Sequence, residues 1–196
     1  HEHNEARLAP RLLERLAAGE DRALVSDAGT PLISDPGYPL VAAARAAGFR
    51  VVPIPGPNAA ICALSAAGLP SDRFLFLGFP PRTAGKRREQ FAALARETGT
   101  LVFYEAGNRV LETLADLAQV LGDERRAVVA RELTKRFETF LAGTLADLPP
   151  RIAADADQQK GEFVLLVAGC RDQDAVAAEG ERVLRILARA LPLKQA

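Results

Sequence analysis

The chain has 196 residues, 48% hydrophobic and 26% charged, a balance that suits one or two globular domains. Its 25 basic and 25 acidic side chains cancel, which excludes a global positive field, so any nucleic-acid contact has to be local. Two cysteines, two histidines and no apolar run of membrane-spanning length argue against a disulfide framework, a metal site and a membrane protein. We therefore expect a cytoplasmic protein without a metal. Because position 1 is not Met and the first residues resemble sequence from the middle of a longer protein, we also expect a fragment.

The first half begins with a predicted helix over residues 4–19 and a predicted strand over residues 23–26. The strand enters a long loop that starts with Ser26-Asp-Ala-Gly-Thr-Pro31, and a helix follows as far as Gly48. Ligands of open α/β sheets lie beyond the carboxyl ends of strands, and glycine lets the backbone approach a small molecule closely. The loop is therefore a candidate binding site. The alternative is an ordinary connection in which Asp27 forms an Asx-turn.

A second strand, loop and helix repeat this arrangement. The predicted strand covers residues 50–54, the loop is Pro55-Gly-Pro-Asn58, and the helix covers residues 59–67. The helix begins with small residues, which leave its first N–H groups accessible to a ligand. Tight packing between the helix and a sheet explains the small residues equally well.

A basic run follows the third predicted strand, residues 74–79, which Pro80-Pro81 ends. Cations at a helix start oppose the helix dipole, so a phosphate partner is one interpretation and a solvated helix start or hinge is the other. The candidate RNA-binding residues are Arg82, Lys86, Arg87 and Arg88. The same segment is the predicted domain boundary, with domains at 1–79 and 80–196.

In the second half, apolar runs predict strands at 100–104, 127–132, 137–142 and 163–168, and the chain ends in a predicted helix at 175–191. Three polar segments flank these strands and are candidates for a functional site. Each also has a purely structural explanation, such as a surface ion pair or a turn glycine. They are Tyr104-Glu105, Arg131-Glu-Leu-Thr-Lys135 and Gly161-Glu162. Together with the two glycine- and proline-rich loops, they favour an α/β fold of two domains, with mixed sheets, helices on both faces and a cleft between the domains.

Five segments in this order carry a resemblance to a known family. They are Ser26–Pro31, Pro55-Gly-Pro-Asn-Ala-Ala60, Phe103-Tyr-Glu105 with Asn108-Arg109-Val, Arg131–Lys135 and Lys160-Gly-Glu162. The chain resembles the tetrapyrrole methylase superfamily, and within it the branch that methylates the ribose 2′-hydroxyl of a cytidine in small-subunit ribosomal RNA. The resemblance implies S-adenosylmethionine in the cleft, a homodimer, and ribosomal RNA or the 30S particle as partner. It also implies that the N-terminal domain lacks the family's first strand and that a small C-terminal region is absent.

The resemblance further implies which residues contact the cofactor. The methionine end would lie against Asp27, Ala28, Gly29 and Pro31, with Asn58, Ala59 and Ala60 beside it. The adenosine would be framed by Tyr104, Leu133, Gly161 and Glu162.

The implied reaction is attack of a ribose hydroxyl on the sulfonium methyl, for which no metal is needed. Glu132 and Lys135 are the candidate catalytic residues near the hydroxyl proton, and a protonated Lys135 could instead hold a phosphate. Two other functions stay open. One is methylation of a tetrapyrrole or another small acceptor, and the other is a non-catalytic RNA-binding module, which the zero net charge disfavours.

Overall fold

A computed structural model of the chain describes residues 2–170. The predicted helix at 175–191 lies outside the described residues. The α-helices are α1 (Glu2–Ala17), α2 (Tyr38–Ala46), α3 (Ala59–Ala66), α4 (Ala84–Ala93), α5 (Val110–Leu121) and α6 (Leu148–Ala153). The strands are β1 (Phe74–Gly78), β2 (Thr100–Ala106), β3 (Arg126–Arg131), β4 (Thr139–Thr144) and β5 (Glu162–Val167), and short 3-10 helices lie at Gly107–Arg109 and Ala156–Gln159.

The chain divides into two compact units, His1–Cys62 and Ala63–Ala196. The division falls inside α3, whereas the domain boundary predicted from the sequence lies between residues 79 and 80 and stays a prediction. β1 pairs with β2, so residues 74–78 share a sheet with the second half of the chain.

The strands predicted at 23–26 and 50–54 are wrong. Neither segment has strand structure, and both run as irregular backbone. Val25 and Ile54 are each 81% exposed, so the apolar runs that suggested buried strands are largely in contact with solvent. An apolar run becomes a strand only when a neighbouring backbone takes up its N–H and C=O groups, and no described segment pairs with these two.

The second unit contains a mixed five-stranded sheet with the order β1-β2-β5-β3-β4. β1 is parallel to β2, and the pairs β2–β5, β3–β5 and β3–β4 are antiparallel. Val167 of β5 is paired with Leu101 of β2 on one side and with Ala127 of β3 on the other. Strands β2, β3 and β5 are buried almost throughout, as their continuous apolar sequences predict.

The core of this unit lies between the sheet and helices α4, α5 and α6. Alternate residues of β2, such as Leu101 and Phe103, point into it, as does the leucine stripe of α5. The paired prolines at 149–150 begin α6 instead of breaking a helix, because a proline near the helix start gives up an N–H that has no helical partner.

The direction of the strands gathers the polar segments at one edge of the sheet. β1, β2 and β3 run the same way, so their carboxyl ends lie at the same edge, where β4 and β5 begin. We call this the carboxyl edge. It carries Phe79, Gly107, the loop 132–138 and Gly161.

Candidate active site

Two loops of the first unit are held together by a hydrogen bond. The Thr30 hydroxyl donates to the Pro57 carbonyl oxygen at 2.8 Å. Gly29, with φ 83°, lies against the same carbonyl, and a Cβ built on it would be 3.7 Å from that oxygen. The loops that contain the predicted cofactor residues Asp27 to Pro31 and Asn58 are therefore neighbours.

Asp27 has an exposed carboxylate in the first of these loops. The local side-chain turn is made by Ser26, whose hydroxyl oxygen accepts the Ala28 N–H at 3.2 Å and whose O–H donates to the Ala28 carbonyl at 2.9 Å. The Asx-turn considered for Asp27 is therefore not formed. Within residues 8–170, no hydrogen bond or ion pair engages the Asp27 carboxylate, which leaves it available to a ligand.

Asn58 caps helix α3. Its side-chain oxygen accepts the Ile61 N–H at 3.1 Å, and its carbonyl accepts the Cys62 N–H at 2.9 Å. Ala60 is buried, whereas Ala59 is exposed. The cap explains why an Asn stands at this position, and the small side chains that follow keep the helix start uncrowded.

In the second unit, the loop after β3 is tied to the start of β5 through Glu132. The Glu132 N–H donates to the Glu162 carbonyl, and the Glu132 carboxylate accepts the Glu162 N–H, both at 2.9 Å. The Lys135 ammonium lies 3.0 Å from Glu132 Oε1 and 2.9 Å from Glu162 Oε2. Gly161 lies against the same carboxylate, and a Cβ there would collide with it. The sequence-predicted Glu132, Lys135, Gly161 and Glu162 are thus brought into one cluster.

The backbone of this loop is strained, since Glu132 has φ 49° and Thr134 has φ 64°. Residues other than glycine rarely adopt this left-handed region, and such strain is concentrated at functional sites. The Thr134 N–H donates to the Glu138 carboxylate at 2.6 Å, and the Lys135 N–H donates to the Glu132 carbonyl at 3.0 Å. These bonds hold the loop in its strained conformation.

Electrostatics in the cluster oppose proton transfer by either candidate catalytic residue. The hydrogen bond from the Glu162 N–H, followed by that from Lys135, lowers the pKa of Glu132 from its ordinary 4.5. Hydrogen bonds to Glu162 and Glu132 raise the pKa of Lys135 from its ordinary 10.5. Near neutral pH, Glu132 is therefore a carboxylate that binds a proton only weakly, and Lys135 is a cation. This favours the phosphate-holding alternative for Lys135, and the catalytic assignment of the pair stays a prediction.

Tyr104 lies near the end of β2 in a cluster of three aromatic rings. Its ring makes edge-to-face contacts with Phe76, at a centroid distance of 4.9 Å, and with Phe79, at 5.7 Å. Leu133 is half-buried in the loop after β3. β2 and β3 end at the same edge, so both predicted adenosine contacts belong to the carboxyl edge.

The predicted RNA-binding run separates into exposed and buried cations. Arg87 is 2% exposed and lies 2.6 Å from the Asp116 carboxylate, so its guanidinium belongs to the interface between α4 and α5. Arg88 shares the same carboxylate at 3.0 Å, but its side chain is 43% exposed. Arg82 and Lys86 are exposed and have no ion pair within residues 8–170. The structure therefore removes Arg87 from any surface patch, and RNA binding by the other three stays a prediction.

A buried network that was not predicted from the sequence begins at Glu105, the residue after Tyr104. Glu105 is 1% exposed, and its carboxylate accepts the Thr113 hydroxyl at 2.6 Å and the Ala106 N–H at 2.9 Å. Arg109 lies 3.4 Å from the same carboxylate and donates to the carbonyls of Pro80 and Pro81 at 2.9 and 3.0 Å. The four-residue spacing of an acid and an arginine across a strand end was the signal available in the sequence.

Metal ligation and membrane insertion find no support in the described part of the chain. There, no cluster of histidine, cysteine and acidic side chains is arranged to hold a metal ion. Among the same residues, no helix combines the length and apolarity that crossing a bilayer requires.

Comparison with known proteins gives one family. The family model of Tetrapyrrole (Corrin/Porphyrin) Methylases matches residues 1–149. A ribosomal RNA small subunit methyltransferase I of Xylella fastidiosa (strain Temecula1) is 57% identical over 193 residues, covering 98% of this chain and 71% of the relative. The protein of the same name from Escherichia coli O157:H7 is 50% identical over 197 residues, covering all of this chain and 69% of the relative.

Solved structures show the same fold at low identity. The methyltransferase CobJ superposes with a TM-score of 0.61 at 22% identity, covering 87% of this chain and 72% of CobJ. A uroporphyrin-III C-methyl transferase from Thermus thermophilus, solved with S-adenosylhomocysteine, has a TM-score of 0.52 at 18% identity and covers 80% and 70% of the two chains. The α/β fold class expected from the sequence is confirmed. The chain therefore belongs to the tetrapyrrole methylase family, in the group of its ribosomal RNA small subunit methyltransferase I members.

Proposed function

We propose that the protein is an S-adenosylmethionine-dependent methyltransferase that modifies the ribose 2′-hydroxyl of a cytidine in small-subunit ribosomal RNA. Relatives named for methylation of that RNA, at 46–57% identity, support the RNA acceptor. The single structural observation that supports a bound cofactor is the exposed Asp27 carboxylate, which no side chain or backbone group within residues 8–170 engages, in a loop that Thr30 ties to Pro57. The cytidine and the 2′-hydroxyl come from the family resemblance in the sequence motifs. A ribosomal substrate would also place the protein in the cytoplasm.

The residues fit the cofactor chemically. S-Adenosylmethionine carries an ammonium and a sulfonium, and the Asp27 carboxylate, which has no bonded partner among residues 8–170, offers the opposite charge. Gly29 has no side chain to obstruct a ligand, and Ala28, Pro31, Ala59 and Ala60 are small. At the carboxyl edge, the Tyr104 ring, Leu133 and the backbone of residues 161–162 suit a flat, partly apolar group such as an adenosine.

The cofactor, when bound, supplies a methyl group on a positively charged leaving group. The chain then has to position the acceptor hydroxyl and help its proton leave. We propose that Lys135 acts as a fixed cation that orients an RNA phosphate and that Glu132 keeps Lys135 in place. The pKa of Glu132 is lowered and that of Lys135 is raised, so near neutral pH neither residue readily accepts a proton. Transfer of the proton to solvent is compatible with this arrangement.

The test is an acceptor competition. The protein is given S-adenosylmethionine labelled in its methyl group together with 30S particles, free small-subunit ribosomal RNA or uroporphyrinogen. We expect label in the RNA and none in the tetrapyrrole. Label in uroporphyrinogen alone would replace the proposal with the small-acceptor alternative.

A further inference from the structure

Two phenylalanine rings are exposed at the carboxyl edge. Phe79, directly after β1, is 55% exposed, and Phe137, shortly before β4, is 63% exposed. All nine phenylalanines of the chain lie within the described residues, and among them only Phe74, at 40%, is also largely exposed. Phe74 stands at the start of β1 and therefore at the opposite edge of the sheet.

Both exposed rings are carried by backbone that an arginine holds in place. Arg109 donates to the carbonyls of the two residues that follow Phe79. Arg131 donates to the Phe137 carbonyl at 3.1 Å and to the Lys160 carbonyl at 2.7 Å. The register of β1 shifts between Phe76 and Gly78, and Gly78 adopts φ 63°. Irregularities of this kind redirect nearby side chains, and Phe79 is the residue that follows directly.

Exposed aromatic rings on a fixed backbone lose little entropy on binding, so they are suited to stacking with a flat ligand. The Phe137 ring has a cation beside it, and a cation follows Phe79 closely in the sequence. The Arg136 guanidinium lies 5.5 Å from the centre of the Phe137 ring, and Arg82 follows Phe79 by three residues. Aromatic faces next to cations are the combination that binds single-stranded nucleic acid, by stacking on bases and attracting phosphates.

We infer that Phe79 and Phe137 are base-stacking platforms that bind a single-stranded segment of RNA across the carboxyl edge. The inference rests on the proposed RNA acceptor and names the residues that bind it. Four strand spacings separate β1 from β4, so the strands next to the two rings are about 19 Å apart. Consecutive stacked bases are about 3.4 Å apart, so the platforms take two bases that are not neighbours in the strand.

The experiment uses a short fluorescent single-stranded RNA of mixed sequence that contains photoreactive 5-iodouridine. Binding is measured for the unaltered protein and for Phe79→Leu, Phe137→Leu and the matched control Phe74→Leu. We expect each of the first two changes to weaken RNA binding on the order of tenfold and the control to leave it unchanged. Crosslinks should fall on peptides containing Phe79 and Phe137. For Phe137→Leu, S-adenosylmethionine affinity measured by calorimetry and thermal melting should stay as in the unaltered protein. Phe79 is left out of the affinity comparison, because its ring contacts Tyr104.

Several results would overturn the inference. They are unchanged RNA binding in the Phe79 and Phe137 variants, equal weakening by Phe74→Leu, or crosslinks confined to other peptides. A shift in sedimentation of the Phe79 or Phe137 variants would show that a second copy of the chain covers these rings, and it would also overturn it. Failure of the proposed function would look different from failure of this inference, because the unaltered protein would then transfer no methyl group to ribosomal RNA.

Discussion

The Thr30 hydroxyl donates a 2.8 Å hydrogen bond to the Pro57 carbonyl and so joins two loops that lie 27 residues apart in the chain. Thr30→Val keeps the shape of the side chain but removes this bond, which is worth about 1 kcal/mol. We expect S-adenosylmethionine to bind about fivefold more weakly in the variant. Thr30→Ser, which retains the hydroxyl, is the control and should bind normally by calorimetry. Equal affinities in all three proteins would show that the hydrogen bond from Thr30 to Pro57 does not contribute to cofactor binding.

Asp27→Asn tests the charge in the first loop, because Asn has nearly the same shape but no charge. The lost attraction should weaken S-adenosylmethionine binding on the order of tenfold, as expected for a charge-assisted contact. Asp35→Asn, a few residues later in the same loop, is the matched control. If both variants bind equally, Asp27 is not the counter-charge for the cofactor.

Gly161→Ala should destabilise the protein more than Gly122→Ala does. Both glycines have a positive φ, 95° and 97°, which alanine rarely adopts, so either substitution strains the backbone. Only at Gly161 does the new methyl group also collide with Glu132, since nothing lies within 4 Å of a Cβ at Gly122. Urea unfolding of the two variants measures the difference. Equal destabilisation would mean that the Glu132 side chain moves aside without cost.

Acidification should weaken the cluster of Glu132, Lys135 and Glu162. The pKa of Glu132 is lowered in the folded protein, so its contribution to stability is present above the ordinary 4.5 and is lost as the pH falls through the folded value. The pKa of Lys135 is raised, so its contribution is present below the ordinary 10.5 and is lost only as the pH rises through the folded value. The pair is therefore intact across the neutral range.

The matching measurement is the free energy of unfolding as a function of pH for the unaltered protein and for Glu132→Gln. As the pH falls below the ordinary 4.5 and through the lowered pKa of Glu132, the unaltered protein should lose more stability than the variant, which has no carboxylate to protonate. Parallel curves would show that this carboxylate does not contribute to stability through its charge.

Arg87 and Lys86 are neighbours in sequence but differ in burial, and their variants should differ accordingly. Arg87→Met leaves the buried Asp116 with only the partly exposed Arg88 as its cation, which should cost about 3 to 5 kcal/mol. Lys86→Met changes an exposed side chain and should stay within about 0.5 kcal/mol of the unaltered protein. Chemical denaturation distinguishes them. Equal stabilities would mean that Arg87 is not needed between α4 and α5.

The exposed cations should instead affect RNA binding. Replacing Arg82 and Lys86 together by Gln removes two candidate phosphate-binding side chains, so the slope of log affinity against log salt should flatten by about 0.7 for each phosphate no longer neutralised. S-Adenosylmethionine affinity should not change. An unchanged salt slope would show that these cations only solvate the start of α4.

The sequence predicted β2, β3, β4 and β5 because their apolar runs lie between clear turn residues and each strand finds a neighbour in the sheet. The strands predicted at 23–26 and 50–54 were wrong, because a strand also needs a neighbouring segment to pair with, and an apolar run does not reveal whether one exists. The prediction from the sequence treated Arg87 as one of four candidate RNA-binding cations at a helix start, and this hid the fact that Arg87 and Phe91, four residues apart, share the buried face of α4.

The candidate site was predictable where local composition decides the structure. The glycine- and proline-rich loops were singled out because turn residues mark them, and the residues of the Glu132 cluster because they flank β3 and β5. The network of Glu105, Thr113 and Arg109 was missed because its bonds join a strand, a helix and the Pro80-Pro81 segment. Long-range hydrogen bonds of this kind leave no periodic signal in the sequence.

Nucleoside mass spectrometry tests the proposed activity most directly. Small-subunit ribosomal RNA that lacks its 2′-O-methylations is incubated as 30S particles with the protein and S-adenosylmethionine labelled in the methyl group, then digested to nucleosides. We predict that the label appears in 2′-O-methylcytidine and that Asp27→Asn reduces its rate of appearance. Label in a base-methylated nucleoside, or no label in RNA with a protein that binds the cofactor, would contradict the proposed activity.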